Sequence, residues 1–182
     1  LSVFLVIAFI SYIISGQNDQ SIILDLKPGE WSNSDRTFHN SCGSLGAFAA
    51  YFFMSRCFGF AAFVIPVFMA LLGLKLVKAY NVGLLKSFMC LTIIMLWSSV
   101  ALSKFLAPFA GDMIFSPGGD HGLFCCQWLE NVIGVPGLMA TLFLVAIIFL
   151  TYISSETVTV VRKLLNPVSL ITNKVKFKVR VG

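Results

Sequence analysis

The residues best equipped for chemistry are His121, Cys125 and Cys126, with His39 and Cys42 in a separate loop. His121 and Cys125 lie four apart, so a helix would put them on one face. With a fourth ligand from His39 or Cys42 they could be asked to hold zinc. Cys125 and Cys126, however, are adjacent and diverge on a helix, which is a poor zinc pattern, and plain packing is the stronger reading. No Gly-x-x-x-x-Gly-Lys-[Ser/Thr] run occurs, so the segment has no phosphate loop and is not expected to hydrolyse ATP by itself. No Ser/His/Asp set has supporting spacing. The sequence therefore predicts no catalytic, cofactor-binding or metal-binding residue here.

The elements that hold these residues are membrane elements. The chain of 182 residues is 58% hydrophobic and only 12% charged, where a soluble domain carries about a quarter charged residues. Its apolar residues fall in blocks rather than in alternation, which argues against a soluble sandwich. A hydrocarbon core about 30 Å thick needs about 20 residues of helix. Runs 58–78, 87–106 and 132–152 meet that length, and run 1–15 falls short. The chain opens on Leu1 with no basic stretch, and Ile14-Ser15-Gly16-Gln17 is a poor cleavage site, so 1–15 reads as a helix cut at its N-terminal end rather than a signal peptide.

One pattern occurs twice. A glycine opens a short apolar segment, a second glycine breaks it, and a membrane-length run follows. The first copy opens at Gly43 and Gly46 and breaks at Gly59; the second opens at Gly119 and Gly122 and breaks at Gly134. Gly43 with Ala47, and Gly46 with Ala50, are small-xxx-small pairs that let helices approach closely. The expected fold is thus all-α: four transmembrane helices, the first truncated, plus outer half-helices over 43–55 and 121–131, in tandem repeat. Residues 1–156 form the transmembrane domain and 157–182 a basic juxtamembrane segment. In the second span Gly59, Ala62, Pro66, Ala70 and Gly73 share one face, a packed seam, with Pro66 expected to kink the helix near its middle. Trp31 suits a water–lipid boundary, and Trp97 suits packing. Hydroxyls of the third span, Ser98, Ser99 and Ser103 among them, can bond a neighbouring helix. No acid falls inside a predicted span, which counts against a proton- or ion-coupled pump.

Nine of the thirteen basic residues lie on one side: Lys75, Lys78, Lys86, Arg162, Lys163, Lys174, Lys176, Lys178 and Arg180. Seven of the eight acids lie on the other, Asp19, Asp25, Glu30, Asp35, Asp112, Asp120 and Glu130, leaving Glu156. The positive-inside rule then puts both termini and the 75–86 turn in the cytoplasm. Such basic charge orients a membrane protein and holds anionic lipid, a plainer reading of the tail than nucleic-acid contact. The tail alternates from Lys174 to Val181 with strand periodicity. The five cysteines fit no disulfide framework. Cys90 belongs in lipid or a helix contact. Cys42, Cys57, Cys125 and Cys126 lie near the outer face, where a bond between the half-helices stays open.

Gly43-x-x-Gly46-Ala47, followed by Gly59, Ala62, Pro66 and Gly73, resembles the first half of the N-terminal four-helix membrane domain of the FtsK/SpoIIIE DNA translocases. Gly118-Gly119-x-x-Gly122 with Gly134-x-Pro136-Gly137 resembles the second half. The resemblance implies a non-catalytic membrane anchor in the bacterial cytoplasmic (inner) membrane at the division septum. It implies a homo-oligomer, a hexamer in that family, that contacts other division proteins in chromosome segregation. ATP and magnesium would belong to a motor beyond Gly182, and DNA would be met through that motor or a conducting pore. The matched glycines, Ala47, Ala62, Pro66 and Pro136 carry over as structural positions only. The rival reading is a stand-alone small transporter or channel subunit, because repeats with broken helices also build transport sites. A membrane-embedded enzyme lacks a supporting constellation.

Overall fold

The computed structural model describes residues 1–27, 30, 37–78, 83–111 and 113–164, with side chains to Tyr152. Every regular element among them is helical. Helix α1 spans Ser2–Asp25. Helix α2, Gly43–Ala50, passes into a wide π-helical stretch, Tyr51–Phe58, and then a tight 3-10 turn, Gly59–Phe63. Helix α3 covers Val64–Leu76 and α4 covers Leu84–Phe105. A short 3-10 turn, Ala107–Phe109, leads toward α5, Gly119–Leu164.

Four stretches are long and apolar enough to cross a membrane: Ser2–Asp25, Gly43–Leu76, Leu84–Phe105 and Gly119–Tyr152. The chain is an all-α, multi-pass membrane protein. Two bends are set by glycine. Gly59 has φ 61° and Gly134 has φ 72°, values that side-chain-bearing residues rarely adopt. At Gly134 the helical path of α5 is interrupted, and Pro136 follows within the next turn.

Three sequence expectations are corrected. Run 1–15 does not end at Gly16. The helix continues to Asp25, a length of about 36 Å at 1.5 Å per residue, so α1 is long enough to span. Its polar turn stays helical because its side chains find partners: the Tyr12 hydroxyl donates to Gln20 Oε1 at 3.2 Å and Ser15 Oγ to the Ser11 carbonyl at 2.9 Å. Asp19 is thereby an acid inside a spanning-length helix, and it is fully buried. Second, Pro66 does not kink a long helix. It sits in the first turn of α3, directly after the 3-10 turn, where proline is better tolerated than in a helix interior. Third, the seam of the second span is only half closed. Gly59, Ala62 and Pro66 are buried, whereas Ala70 is exposed and Gly73 has open space where a Cβ would stand.

The described residues up to Leu138 form one compact unit and those from Met139 onward another. The core of the first is Ala8, Phe9, Tyr12, Ala50, Met54, Ala62 and Phe115. Phe9 meets Phe63 edge-on at 5.4 Å, and Tyr12 lies 5.8 Å from Phe115. Small residues at 8, 50 and 62 let backbones approach, and aromatic rings fill the remaining space. In the second unit the helix continues with Phe143, Leu144, Ile147 and Ile148 exposed, as a lipid-facing surface should be. Trp31 and the alternating 174–181 tail lie outside the described residues.

Candidate functional site

The glycine cassettes meet at one end of the first unit. The Phe60 N–H donates to the Pro117 carbonyl at 2.9 Å, tying the break after the π-helical stretch to the start of α5. A Cβ on Gly59 would overlap the Pro117 carbonyl, and one on Gly119 the Cys57 carbonyl. Both glycines also have positive φ, 61° and 68°. Backbone conformation and backbone proximity therefore demand glycine twice over at these positions.

Helix α4 joins from the side. Ser99 and Ser103 lie four apart, as do Gly118 and Gly122, so each pair forms one face. A Cβ on either glycine would strike the Ser99 carbonyl and the Ser103 hydroxyl. Ser99 Oγ donates to the Gly118 carbonyl at 2.6 Å and lies 3.2 Å from His121 Nδ1. Ser103 Oγ is buried and has no hydrogen-bond partner. Two ion pairs rim the junction: Arg56 with Asp120 at 2.9 Å, and Lys104 with Glu130. Both members of the first pair are more than half exposed, so it contributes little to stability. Asp120 also sits in the first turn of α5, where an acid complements the helix dipole.

A second contact pins the 37–42 segment to α1. Asn40 is buried; its Nδ2 donates to the Ala8 carbonyl at 2.9 Å, and its Oδ1 accepts the Cys42 N–H at 3.0 Å. That Asx-type turn launches α2. Gly46 is held against Asn40 and Cys42 and has no room for a Cβ. Ser11 Oγ accepts the Ser41 N–H at 2.9 Å. Asp19 Oδ1 accepts the His39 N–H at 2.6 Å, while Asp19 Oδ2 has no partner.

The chemical candidates separate. His121 Nε2 lies 3.5 Å from Cys125 Sγ, as their spacing predicts, but Cys126 Sγ turns to Glu130 at 3.8 Å. Cys42 Sγ donates to the Phe4 carbonyl, and His39 pairs with Asp19. Among the described residues no group of three His, Cys, Asp or Glu converges as a metal site, and all five cysteines are free thiols.

The matched positions fall unevenly. Gly46, Ala47, Gly59, Ala62, Pro66, Gly119 and Gly122 are buried, as the junction and core require. Gly43 opens α2 with φ 65°, in open space. Gly134 makes the bend in α5, and Gly137 packs on the Ile133 side chain. Of the basic set, Lys75 ends α3, Lys78 follows it, and Lys86 begins α4, at the end of these helices remote from the junction. Arg162 and Lys163 lie on the last turn of α5, and their side chains are outside the described set. Sequence reasoning missed Asp19, Asn40 and both ion pairs. It could have found the α4 contact, because the Ser99/Ser103 and Gly118/Gly122 pairs share one spacing.

No curated protein and no solved structure matches the chain significantly. Residues 1–165 match the family described as the 4TM region of DNA translocase FtsK/SpoIIIE. With four spanning-length helices and a family match over most of its length, the chain belongs to the FtsK/SpoIIIE four-transmembrane family.

Proposed function

We propose that this segment is the non-catalytic, oligomerising membrane anchor of a DNA-translocating motor that acts in cell division and chromosome segregation. The observation that carries the reading is the family match over residues 1–165. ATP and magnesium would be used by the motor, and DNA would be met through it. The two cassettes act as a tandem repeat. In support, Gly43, Gly59, Gly119 and Gly134, the openings and breaks of both copies, all have positive φ.

Charge supports a placement in the inner membrane with both termini and the 75–86 turn cytoplasmic. The glycine junction would then be external, beside the segments that meet other division proteins at the septum. Oligomerisation, to a hexamer in the family's manner, is supported by the open small residues of α3. Gly73 has no neighbour within 4 Å of a built Cβ and Ala70 is exposed, so a helix of another copy can approach there. The test is imaging of the native full-length polypeptide with a fluorescent C-terminal fusion in dividing cells. Enrichment at septa is expected; an even membrane distribution through division would overturn the proposal.

A further inference from the structure

Three side chains from two helices line up where α4 meets the start of α5. Ser99 Oγ of α4 donates to the Gly118 carbonyl at 2.6 Å. His121 Nδ1 lies 3.2 Å from the same Oγ. His121 Nε2 lies 3.5 Å from Cys125 Sγ, one helical turn further along α5. The Phe58 ring, 5.3 Å from the imidazole, packs on it from the first cassette.

These bonds assign the protons. A hydroxyl carries one hydrogen, and Ser99 commits it to Gly118, the shorter of its two contacts. Toward His121, Ser99 Oγ can therefore only accept, so Nδ1 carries the ring proton. In a neutral imidazole the other nitrogen is then an acceptor. Nε2 turns its lone pair to Cys125, and the thiol donates to it. This is the order of an activated nucleophile: a thiol, a base in reach of its proton, and a third group that orients the base. Ser99 is fully buried, so water does not compete for the orienting contact.

The two adjacent thiols are set apart. Cys126 is only 7% exposed, and its Sγ donates to Glu130 Oε1 at 3.8 Å. Cys125 faces the imidazole and is partly exposed. It lies five residues, about 8 Å along the helix axis, from Asp120, whose ion pair with Arg56 is more than half exposed. Charged groups of that exposure belong at water rather than in hydrocarbon, so a water-borne reagent reaches this end of α5. Acyl transfer would also ask for oxyanion donors, and the O–H of Ser99 and the N–H of His121 are already committed. Disulfide exchange asks only for a thiol and a group that carries its proton.

We propose that Cys125 is a thiol–disulfide exchange site for a low-molecular-weight disulfide, with His121 as its base. Cys125 Sγ attacks one sulfur of the disulfide while its proton passes to His121 Nε2. A new S–S bond forms to Cys125 as the S–S bond of the reagent breaks. The leaving sulfur departs as a thiolate and takes the proton from Nε2. One thiol and one disulfide thus become another thiol and a mixed disulfide.

The test is timed exposure of the native full-length polypeptide, in detergent, to oxidised glutathione. Peptide mass spectrometry with fragmentation between Cys125 and Cys126 reads the rate at each thiol. Cys125 should be modified faster than Cys57, which is also partly exposed. His121→Ala should slow Cys125 about a hundredfold, the lower end of what a positioned general base contributes. The rate at Cys57, whose backbone lies at the glycine junction, should not move, which shows that the junction is intact in the variant. A rate at Cys125 no higher than at Cys57 in the unaltered chain would overturn the proposal, and that comparison needs no variant to fold. Modification of Cys126 in preference to Cys125 would overturn it as well. So would an unchanged rate at Cys125 in His121→Ala.

Discussion

Gly59 and Gly119 sit backbone to backbone. The residue after Gly59 donates its N–H to Pro117, and a Cβ on either glycine would run into the main chain of the other's segment. The junction therefore joins the two cassettes through peptide groups rather than side chains. In a membrane domain this has two effects: it satisfies donors and acceptors freed where helices break, and it fixes the approach of the segments.

Replacing either glycine should disrupt the domain. Gly59→Ala and Gly119→Ala each add left-handed strain of about 1–2 kcal/mol to a steric clash with immobile backbone. A loss of about 3 kcal/mol or more is expected. Gly111→Ala also has positive φ, 47°, but open space, so it should lose only the strain. Gly73→Ala, with open space in α3, should keep or slightly raise stability, because alanine is the better helix former. Thermal unfolding of the four variants in detergent checks the order.

The serines of α4 should behave oppositely. Ser99→Ala removes a buried donor from the Gly118 carbonyl and should cost about 1–2 kcal/mol. Ser103→Ala removes a buried hydroxyl with no partner and should be neutral or mildly stabilising. Equal losses in an unfolding titration would mean that Ser103 also bonds in the membrane.

Asp19 holds the 37–42 segment through the His39 N–H. Asp19→Asn keeps an acceptor and should leave that segment protected. Asp19→Ala leaves a donor without its partner, a loss of about 1–3 kcal/mol. Amide hydrogen exchange at His39 should rise in the alanine variant and change far less in the asparagine variant.

Orientation follows from charge and can be read by labelling. In a cysteine-free background, Phe109→Cys introduces a thiol at a position 83% exposed on the loop after α4. It should react with an impermeant maleimide on intact cells. Lys78→Cys, at the opposite end of α3 from the junction, should react only after permeabilisation. The reverse pattern would invert the topology argued from the positive-inside rule.

The sequence made the glycines legible because their requirement is local. Side-chain-bearing residues rarely adopt a positive φ, and at Gly59 and Gly119 a close backbone also leaves no room for a Cβ, so Gly59, Gly119 and Gly134 stand out from an apolar background. The end of α1 was not legible. Gln17, Asn18, Asp19 and Gln20 look like a loop, and the partners that hold that turn, the Tyr12 hydroxyl on Gln20 and the His39 N–H on Asp19, show only in the fold. Pro66 misled for a related reason. Its effect depends on where the helix starts, and that start is set by the Gly59 bend and the 3-10 turn after it. The separation of Cys126 from His121 and Cys125 was legible, because adjacent residues diverge on a helix.

If these four helices anchor a DNA-translocating motor, an intact mass with a peptide map of the native polypeptide will show it. The native polypeptide should be several hundred residues longer than these 182 and contain a Gly-x-x-x-x-Gly-Lys-[Ser/Thr] peptide. A native polypeptide with no such peptide would contradict the anchor role and favour a small channel or transporter subunit.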